Sequence, residues 1–255
     1  MTEDLGSFEN RYRSPKFVEF WMADQGLEAR RTEWRKRLVA FLPFDSSDTL
    51  RILDIGAGTR GLSLQILNAF PNASVTSQDF SEAMLSHARE RLAGFEGRVT
   101  FIQSDLRTPG WARNIEGTFD SVVASFVTHT VPHSVKAIYE ELFGLVKPGG
   151  CFLTCDRFSP PGPSLEKLYH KLRLQHYRER LKMETGTEKS LQDAEEQLRD
   201  RRRGYHVFFK GHDRESSVGV STMMDNLLWL KEAGFDEVDC LFKRDNVAII
   251  GAFRH

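Results

Sequence analysis

This 255-residue chain has no long apolar run, no excess charge of either sign and little cysteine, and each lack removes a class of function. The amino terminus, Met1-Thr-Glu-Asp-Leu5, is acidic and does not read as a signal peptide, and no stretch is long and apolar enough to cross a bilayer, so a cytoplasmic protein without a membrane partner is expected. Its 35 lysines and arginines nearly balance its 36 acids, and the formal net charge of −1 gives no global pull toward nucleic acid. Of three cysteines, Cys151 and Cys155 fall on one expected strand, about 13 Å apart at strand rise and too far for a disulfide. With Cys240 they read as free buried thiols.

The most telling stretch that is present is Arg51-Ile-Leu-Asp-Ile-Gly-Ala-Gly58. Ile52, Leu53 and Ile55 read as a buried strand, and Gly56 and Gly58 let the backbone turn tightly and approach a ligand with no Cβ in the way. Leu62, Leu64, Ile66, Leu67 and Phe70 follow in a helical window, so the turn opens onto helix N–H groups able to face an anionic ligand. Strand, glycine turn and helix begin a βαβ nucleotide-binding unit. The glycines alone do not fix the cofactor, because Gly56-Ala-Gly-Thr-Arg-Gly61 also satisfies the G-x-G-x-x-G of a dinucleotide-binding dehydrogenase. The second strand, Ala73 to Asp79, ends on an acid placed for a ribose diol, which both cofactor classes possess.

A third strand, Val99 to Asp105, ends on another acid. The ordered set Asp54-Ile-Gly-Ala-Gly58, Gln78-Asp-Phe-Ser-Glu-Ala-Met84, Gln103-Ser-Asp-Leu106, Phe119-Asp-Ser-Val-Val123 and Val146-Lys-Pro-Gly-Gly150 resembles the class I S-adenosylmethionine-dependent methyltransferases. Within them it is similar to the small-molecule enzymes of quinone biosynthesis. The resemblance covers residues 50 to 157 and again Leu230 to Val238. It implies S-adenosylmethionine as cofactor, with Gly56, Ala57 and Gly58 at its methionine end beside Asp54 and Ser125, Asp79 on the ribose, and Asp105 on the adenine amine. Phe80 and Leu106 match positions that flank the adenine ring, and Met84 is a further expected cofactor contact. Arg60 stands where the family usually has a third glycine; it reads as a solvated side chain, with the cofactor carboxylate as its other candidate contact.

The implied fold is α/β: a Rossmann-like, seven-stranded, mostly parallel sheet with an antiparallel C-terminal strand, an N-terminal helical lid and a helical insertion. Residues 1–48 form the lid, 49–158 the cofactor-binding core, 159–205 the cap insertion, and 206–255 the C-terminal part of the core with its β-hairpin. The lid reads as two helices, one opening at Ser14-Pro15 with Phe17, Phe20 and Trp21 on its stripe, the other carrying Trp34, Leu38, Phe41 and Leu42. Phe17 and Trp21 are its candidate substrate contacts. The insertion follows Ser159-Pro-Pro-Gly-Pro163 and has two helical windows, Leu165/Leu168/Leu172 and Leu191/Ala194/Leu198, each with one apolar face for docking on the core.

Chemistry is expected at the carboxyl ends of the strands. Strand four ends in Ser125-Phe-Val-Thr-His129-Thr-Val-Pro-His133 and strand five in Cys155-Asp156-Arg157, which places His129 as candidate general base and, with Asp156, as substrate contact. The related enzymes often carry Leu-His-His-Leu there; this chain keeps the first histidine and has Thr130 for the second. Pro132 breaks the helical geometry His129 and His133 would need to share a metal, no third ligand is evident, and no metal is expected. The basic run Arg199-Asp-Arg-Arg-Arg203 reads as a solvated helix end without the aromatic interleaving of single-strand binders. A small-molecule acceptor is therefore expected, with nucleic acid unlikely; transfer to RNA and a nicotinamide-dependent oxidoreductase stand as the alternatives.

Overall fold

The structure, a computed structural model, describes residues 12–15, 18–19, 25–59, 61–131, 134–197 and 221–255. Phe17, Phe20, Trp21, Arg60, Pro132, His133, Leu198, the basic run 199–203 and the segment through residue 220 lie outside the described residues.

Strand and helix alternate: α1 (Gln25–Ala40), β1 (Arg51–Ile55), α2 (Gly61–Ala69), β2 (Ser74–Asp79), α3 (Glu82–Arg91), β3 (Val99–Gln103), β4 (Phe119–Ser125), α4 (Val135–Phe143) and β5 (Val146–Arg157). Then come α5 (Pro163–Thr185), a helical run at 191–197, α6 (Met223–Ala233), β6 (Glu237–Arg244) and β7 (Val247–Phe253). One seven-stranded sheet results, ordered β3-β2-β1-β4-β5-β7-β6. The first five strands are parallel, and β7 slots antiparallel between β5 and β6. The order reverses between β1 and β4, so a crevice opens at their carboxyl ends, where open α/β sheets bind ligands.

Each sheet face buries its own core. On one, Trp34, Leu38 and Leu42 of the first helix and its exit join Leu62, Ile66 and Leu67 of α2 over Ile52, Val75, Leu153 and Ile249. On the other, Tyr139 and Leu142 of α4 and Leu230 of α6 pack with Phe119, Phe152 and Ile250. Val123 and Leu153 of the first core alternate along their strands with Val122 and Phe152 of the second, the period of two expected of a sheet covered on both faces. Local signals set the ends: Ser81 caps α3 by accepting from the Met84 N–H, and Thr222 and Asp225 form a reciprocal capping box on α6.

The insertion docks by a different face from the one its leucine spacing proposed. Leu165 and Leu168 are 37% and 46% exposed, whereas Leu174, Tyr177 and Leu181 are buried, the last two packing with Ala194 of the 191–197 run. On a helix of 23 residues either stripe satisfies the spacing of three and four, and contact with the neighbouring run selects the later one. Lys243 Nζ donates to Tyr169 Oη at 2.7 Å, fastening α5 to the terminal hairpin. Ser159 N donates to Ser221 O at 3.0 Å, so the chain leaves the core and returns to it at one point. Cys151 and Cys155 are buried free thiols, but Cys240, on the edge strand, is half-buried and departs from the expectation.

Tyr139 links the helices of the second face. Its hydroxyl donates to Asn226 Oδ1 at 2.7 Å, while Asn226 Nδ2 donates to Ser221 Oγ and Thr222 O. Tyr139→Phe leaves a buried carbonyl oxygen without that donor, a loss of roughly 1–3 kcal/mol. Urea unfolding should show a lower midpoint with an unchanged slope; an unaltered midpoint would mean that the bond is not formed.

Candidate active site

The glycine turn is held by the end of β2. Gly56 N–H donates to Gln78 Oε1 at 2.9 Å, Ala57 N–H to Gln78 O at 2.8 Å, and Gly58 N–H to Asp79 Oδ2 at 2.9 Å. Gln78 Nε2 in turn donates to Ser104 O, which ties the end of β3 into the same ring. Both glycines have φ near +60°, a backbone that other L-residues rarely adopt. At Gly56 an added Cβ would stand 2.6 Å from Val127 Cγ2, so the turn lies directly against the segment after β4. At Gly58 the same atom would enter open space, a cradle where a ligand can meet bare backbone.

Asp54 sits beneath this turn rather than in it. Its carboxyl is buried and accepts from Ser63 Oγ at 2.7 Å, and burial pushes it up to about 7. Asp79 is also buried, accepting from Gly58 N–H and from Ser81 N–H, and burial raises it to about 6 against those two donors. Ser81 Oγ reaches Tyr12 O, and the Tyr12 ring meets Phe80 edge-on at 6.3 Å, placing residue 12 of the lid at the site. Met84 and Leu106 are buried. Asp105 takes two bonds from the Arg107 guanidinium, which hold its carboxyl below the usual range, and the same guanidinium lies 5.1 Å from the Phe80 centroid. An adenine amine at Asp105 would therefore share it with Arg107, a partner the sequence reading missed.

Past β4 the chain makes an unusual step. Phe126 has φ of +60°, an outlier for a bulky residue, worth about 1–3 kcal/mol of strain. It turns the next three residues onto Asp156. That carboxylate has no exposure and accepts from Val127 N–H at 3.0 Å, Thr128 N–H and Oγ1 at 2.6 Å each, His129 N–H at 3.3 Å and Arg157 N–H at 2.7 Å. His129 Nδ1 stands 2.5 Å from Asp156 Oδ1. Burial works to raise Asp156, but His129 and the hydrogen bonds outweigh it and hold the carboxyl below its ordinary value. Asp156, expected as a substrate contact, has no exposure and stands against His129, whose ring is partly exposed.

Arginines complete the crevice. Arg35 Nε donates to Ser125 Oγ at 3.1 Å and Nη1 to Glu28 Oε1 at 2.8 Å, with its guanidinium against the backbone of Gly61 at the start of α2. Arg31, one turn earlier, lies 5.6 Å from the Phe126 centroid. Ser125 thus contacts Arg35, and neither arginine was singled out from the sequence; the signal was there, since positions 31, 34, 35, 38 and 42 form one helical stripe and two of them are charged. Among the described residues no cluster of three or more His, Cys, Asp or Glu could hold a metal ion.

Residues 52–150 match the methyltransferase-domain family. The chain is 39% identical over 119 residues to a demethylmenaquinone methyltransferase of Clavibacter sepedonicus, covering 47% of this chain and 46% of that one. A carboxy-S-adenosyl-L-methionine synthase of Nautilia profundicola is 24% identical, over 82% of this chain and 79% of its own. The chain spans about half the length of the quinone-pathway relatives it matches. Among solved structures, an O-methyltransferase family protein of Burkholderia thailandensis superposes with a TM-score of 0.65 at 16% identity, covering 98% of this chain and 63% of that one. Human N-acetylserotonin methyltransferase, solved with S-adenosylmethionine, gives 0.59 at 19% identity, over 100% and 60%. These two share the fold.

If Asp79 meets the cofactor's ribose, ligand binding should depend on pH. An acid raised from 3.8 to about 6 keeps its proton longer when folded, so its contribution to stability is complete below about 4 and is lost as pH climbs through 6. Hydroxyl donors from a ribose favour the ionised form and pull the other way. Affinity for S-adenosylhomocysteine should therefore rise as pH goes from 5 to 7, by up to roughly tenfold, and Asp79→Ala should both flatten this profile and weaken binding about 10- to 100-fold. Calorimetry in buffers of different ionisation enthalpy checks it through the proton released; a flat wild-type profile would exclude Asp79 from the contact.

Proposed function

We propose that this protein transfers the methyl group of S-adenosylmethionine to a small-molecule acceptor, with His129 taking the acceptor's proton. The observation that carries the reading is the pairing of His129 with a buried, ionised Asp156 beside a glycine turn whose own neighbour, Val127, belongs to the same loop. The fit of the cofactor rests on the open cradle at Gly58 and on the acid-bearing ends of β2 and β3. Gly56, Ala57 and Gly58 would hold its methionine end, supported from below by Asp54 and laterally by Ser125; Asp79 would take the ribose hydroxyls, Asp105 the adenine amine, and Phe80, Met84 and Leu106 the ring.

When bound, S-adenosylmethionine supplies a methyl already activated on a positively charged sulfur. The chain has to align a nucleophile, exclude water and, for a hydroxyl or an acidic carbon, remove a proton. Positioning contributes several kcal/mol without any reacting side chain. Because Asp156 accepts at Nδ1, the proton of neutral His129 resides there, and Nε2 presents its lone pair as base. The role of Asp156 is to fix this tautomer and to favour the imidazolium that forms, as a carboxylate behind a catalytic histidine does. The lid, represented by Tyr12 and α1, supplies the cover; Phe17 and Trp21 remain its proposed acceptor contacts.

Neither alternative gains support from a specific observation. Dehydrogenase sheets run 3-2-1-4-5-6 in parallel, whereas here β7 enters antiparallel between β5 and β6. The basic run that raised RNA lies outside the described residues.

Thermal shift and calorimetry with S-adenosylmethionine, S-adenosylhomocysteine, NAD and NADP should show binding of the first two only; NAD binding in their place would overturn the reading. Once an acceptor is identified through a labelled methyl donor, His129→Ala should lower turnover at least about 100-fold and leave S-adenosylmethionine affinity within about threefold. A drop of less than about tenfold would assign the rate to positioning alone.

A further inference from the structure

Three arginines converge on one side of the crevice. Arg31 and Arg35 come from one face of α1, and Arg157 is the last residue of β5, following the Cys155 that pairs with Ser125 of β4. The backbone alternation that turns Asp156 toward His129 turns Arg157 to the α1 side of the sheet, the side of Cys155 and Phe126. Arg31 is only 8% exposed. Burial first, then the charges of Arg35 and Arg157, lower its guanidinium to about 9, while Tyr12 and Glu28 act in the opposite sense. Arg35 and Arg157 thus lie near enough to Arg31 for their charges to act on it, with Glu28, paired to Arg35, offsetting part of that charge.

Arg35 is fixed by Ser125 and Glu28 and abuts the start of α2, the side of the glycine turn. Arg31 lies over the Phe126 ring, and with Arg157 it flanks the ends of β4 and β5, the end of the crevice that holds His129. Guanidinium forks match planar oxyanions through paired N–H donors, and an aromatic face beside them receives the organic part of a ligand.

We propose that the methyl acceptor is a carboxylate-bearing small molecule, its carboxylate seated between Arg31 and Arg157 beside the Phe126 ring, so that its nucleophile is presented to His129. This rests on the methyltransferase reading and names the chemical class of its substrate. It also gives the strained backbone at Phe126 a task, since the left-handed turn sets that ring against Arg31 while sending the chain on to Asp156.

The test uses the full chain saturated with S-adenosylhomocysteine and a panel of benzoate, 4-hydroxybenzoate and octanoate, each paired with its primary amide, with inorganic phosphate as a further arm. At least one carboxylate should raise the melting temperature where its amide does not. That affinity should fall by about tenfold or more in Arg31→Gln and in Arg157→Gln and recover in part in Arg31→Lys, while S-adenosylhomocysteine affinity stays within about threefold in all three. Equal responses to acid and amide, or none to any carboxylate, would overturn the proposal, and phosphate matching the best carboxylate would overturn the assignment of a carboxylate. Loss of S-adenosylhomocysteine binding in both Gln variants would reassign the arginines to the cofactor and overturn it as well. Failure of the wild type to bind S-adenosylhomocysteine at all is a separate outcome, which removes the methyltransferase reading on which the proposal stands.

Discussion

The site depends on one buried charge. Asp156 has no contact with solvent, and a carboxylate in that position is tolerated only where donors replace the water it has lost. Four N–H groups, a threonine hydroxyl and an imidazole do so, and every one of them belongs to residues 127–129 or to Arg157. The requirement to satisfy that charge therefore dictates the path of the chain after β4. It also offsets the strain at Phe126, because the left-handed residue is what brings three successive N–H groups to bear on one oxygen, Oδ2. Moving Asp156 would release Val127, and with it the side chain against which Gly56 packs. The glycine turn and the histidine are thus two ends of one loop architecture.

A parallel device operates on the other side of the crevice. Gln78 and Asp79 end β2 and hold the three amides of the Gly56–Gly58 turn, while Gln78 also reaches β3. The two anchors differ in what surrounds the charge. Asp156 has an imidazole and a hydroxyl beside its amides and is driven toward ionisation, whereas Asp79 has only backbone donors and is driven toward protonation. A carboxyl near its own midpoint is sensitive to any further donor, and a permanently charged one is a stable support for a base. Burial being the same, the neighbours decide the role.

The sheet was legible in the sequence because its signals are local. Ile52, Leu53 and Ile55, or Val122 and Val123, declare buried strands within five or six residues, and Gly56 and Gly58 declare the turn between. The two acids at the ends of β2 and β3 and the terminal hairpin then fixed the class through their order. The cap was less legible, since periodicity states that a helix has a face and not which neighbour the face meets; Leu165 and Leu168 satisfied the same rule as Leu174, Tyr177 and Leu181. Asp156 was found as a strand-end carboxylate, but the five donors from residues 127–129 could not be anticipated, because they arise from the φ of Phe126, which no residue type advertises.

Arg31 and Arg35 were hidden by habit rather than by lack of signal. A charged residue on a helix is ordinarily read as solvated, yet these two lie on the stripe of Trp34, Leu38 and Leu42, where apolar side chains are expected. Burial of a guanidinium is costly unless other groups compensate, so an arginine on a core-facing stripe marks a place where the fold accepts a cost. Here the stripe crosses from packing to chemistry within one helix: Leu38 and Leu42 close the sheet face, Trp34 stands at the margin against Phe242, and Arg35 and Arg31 reach the strand ends. Such a helix cannot slide or rotate to follow a ligand without breaking the core it also builds. The two guanidinium groups are therefore held at the strand ends by the same packing that closes the sheet face.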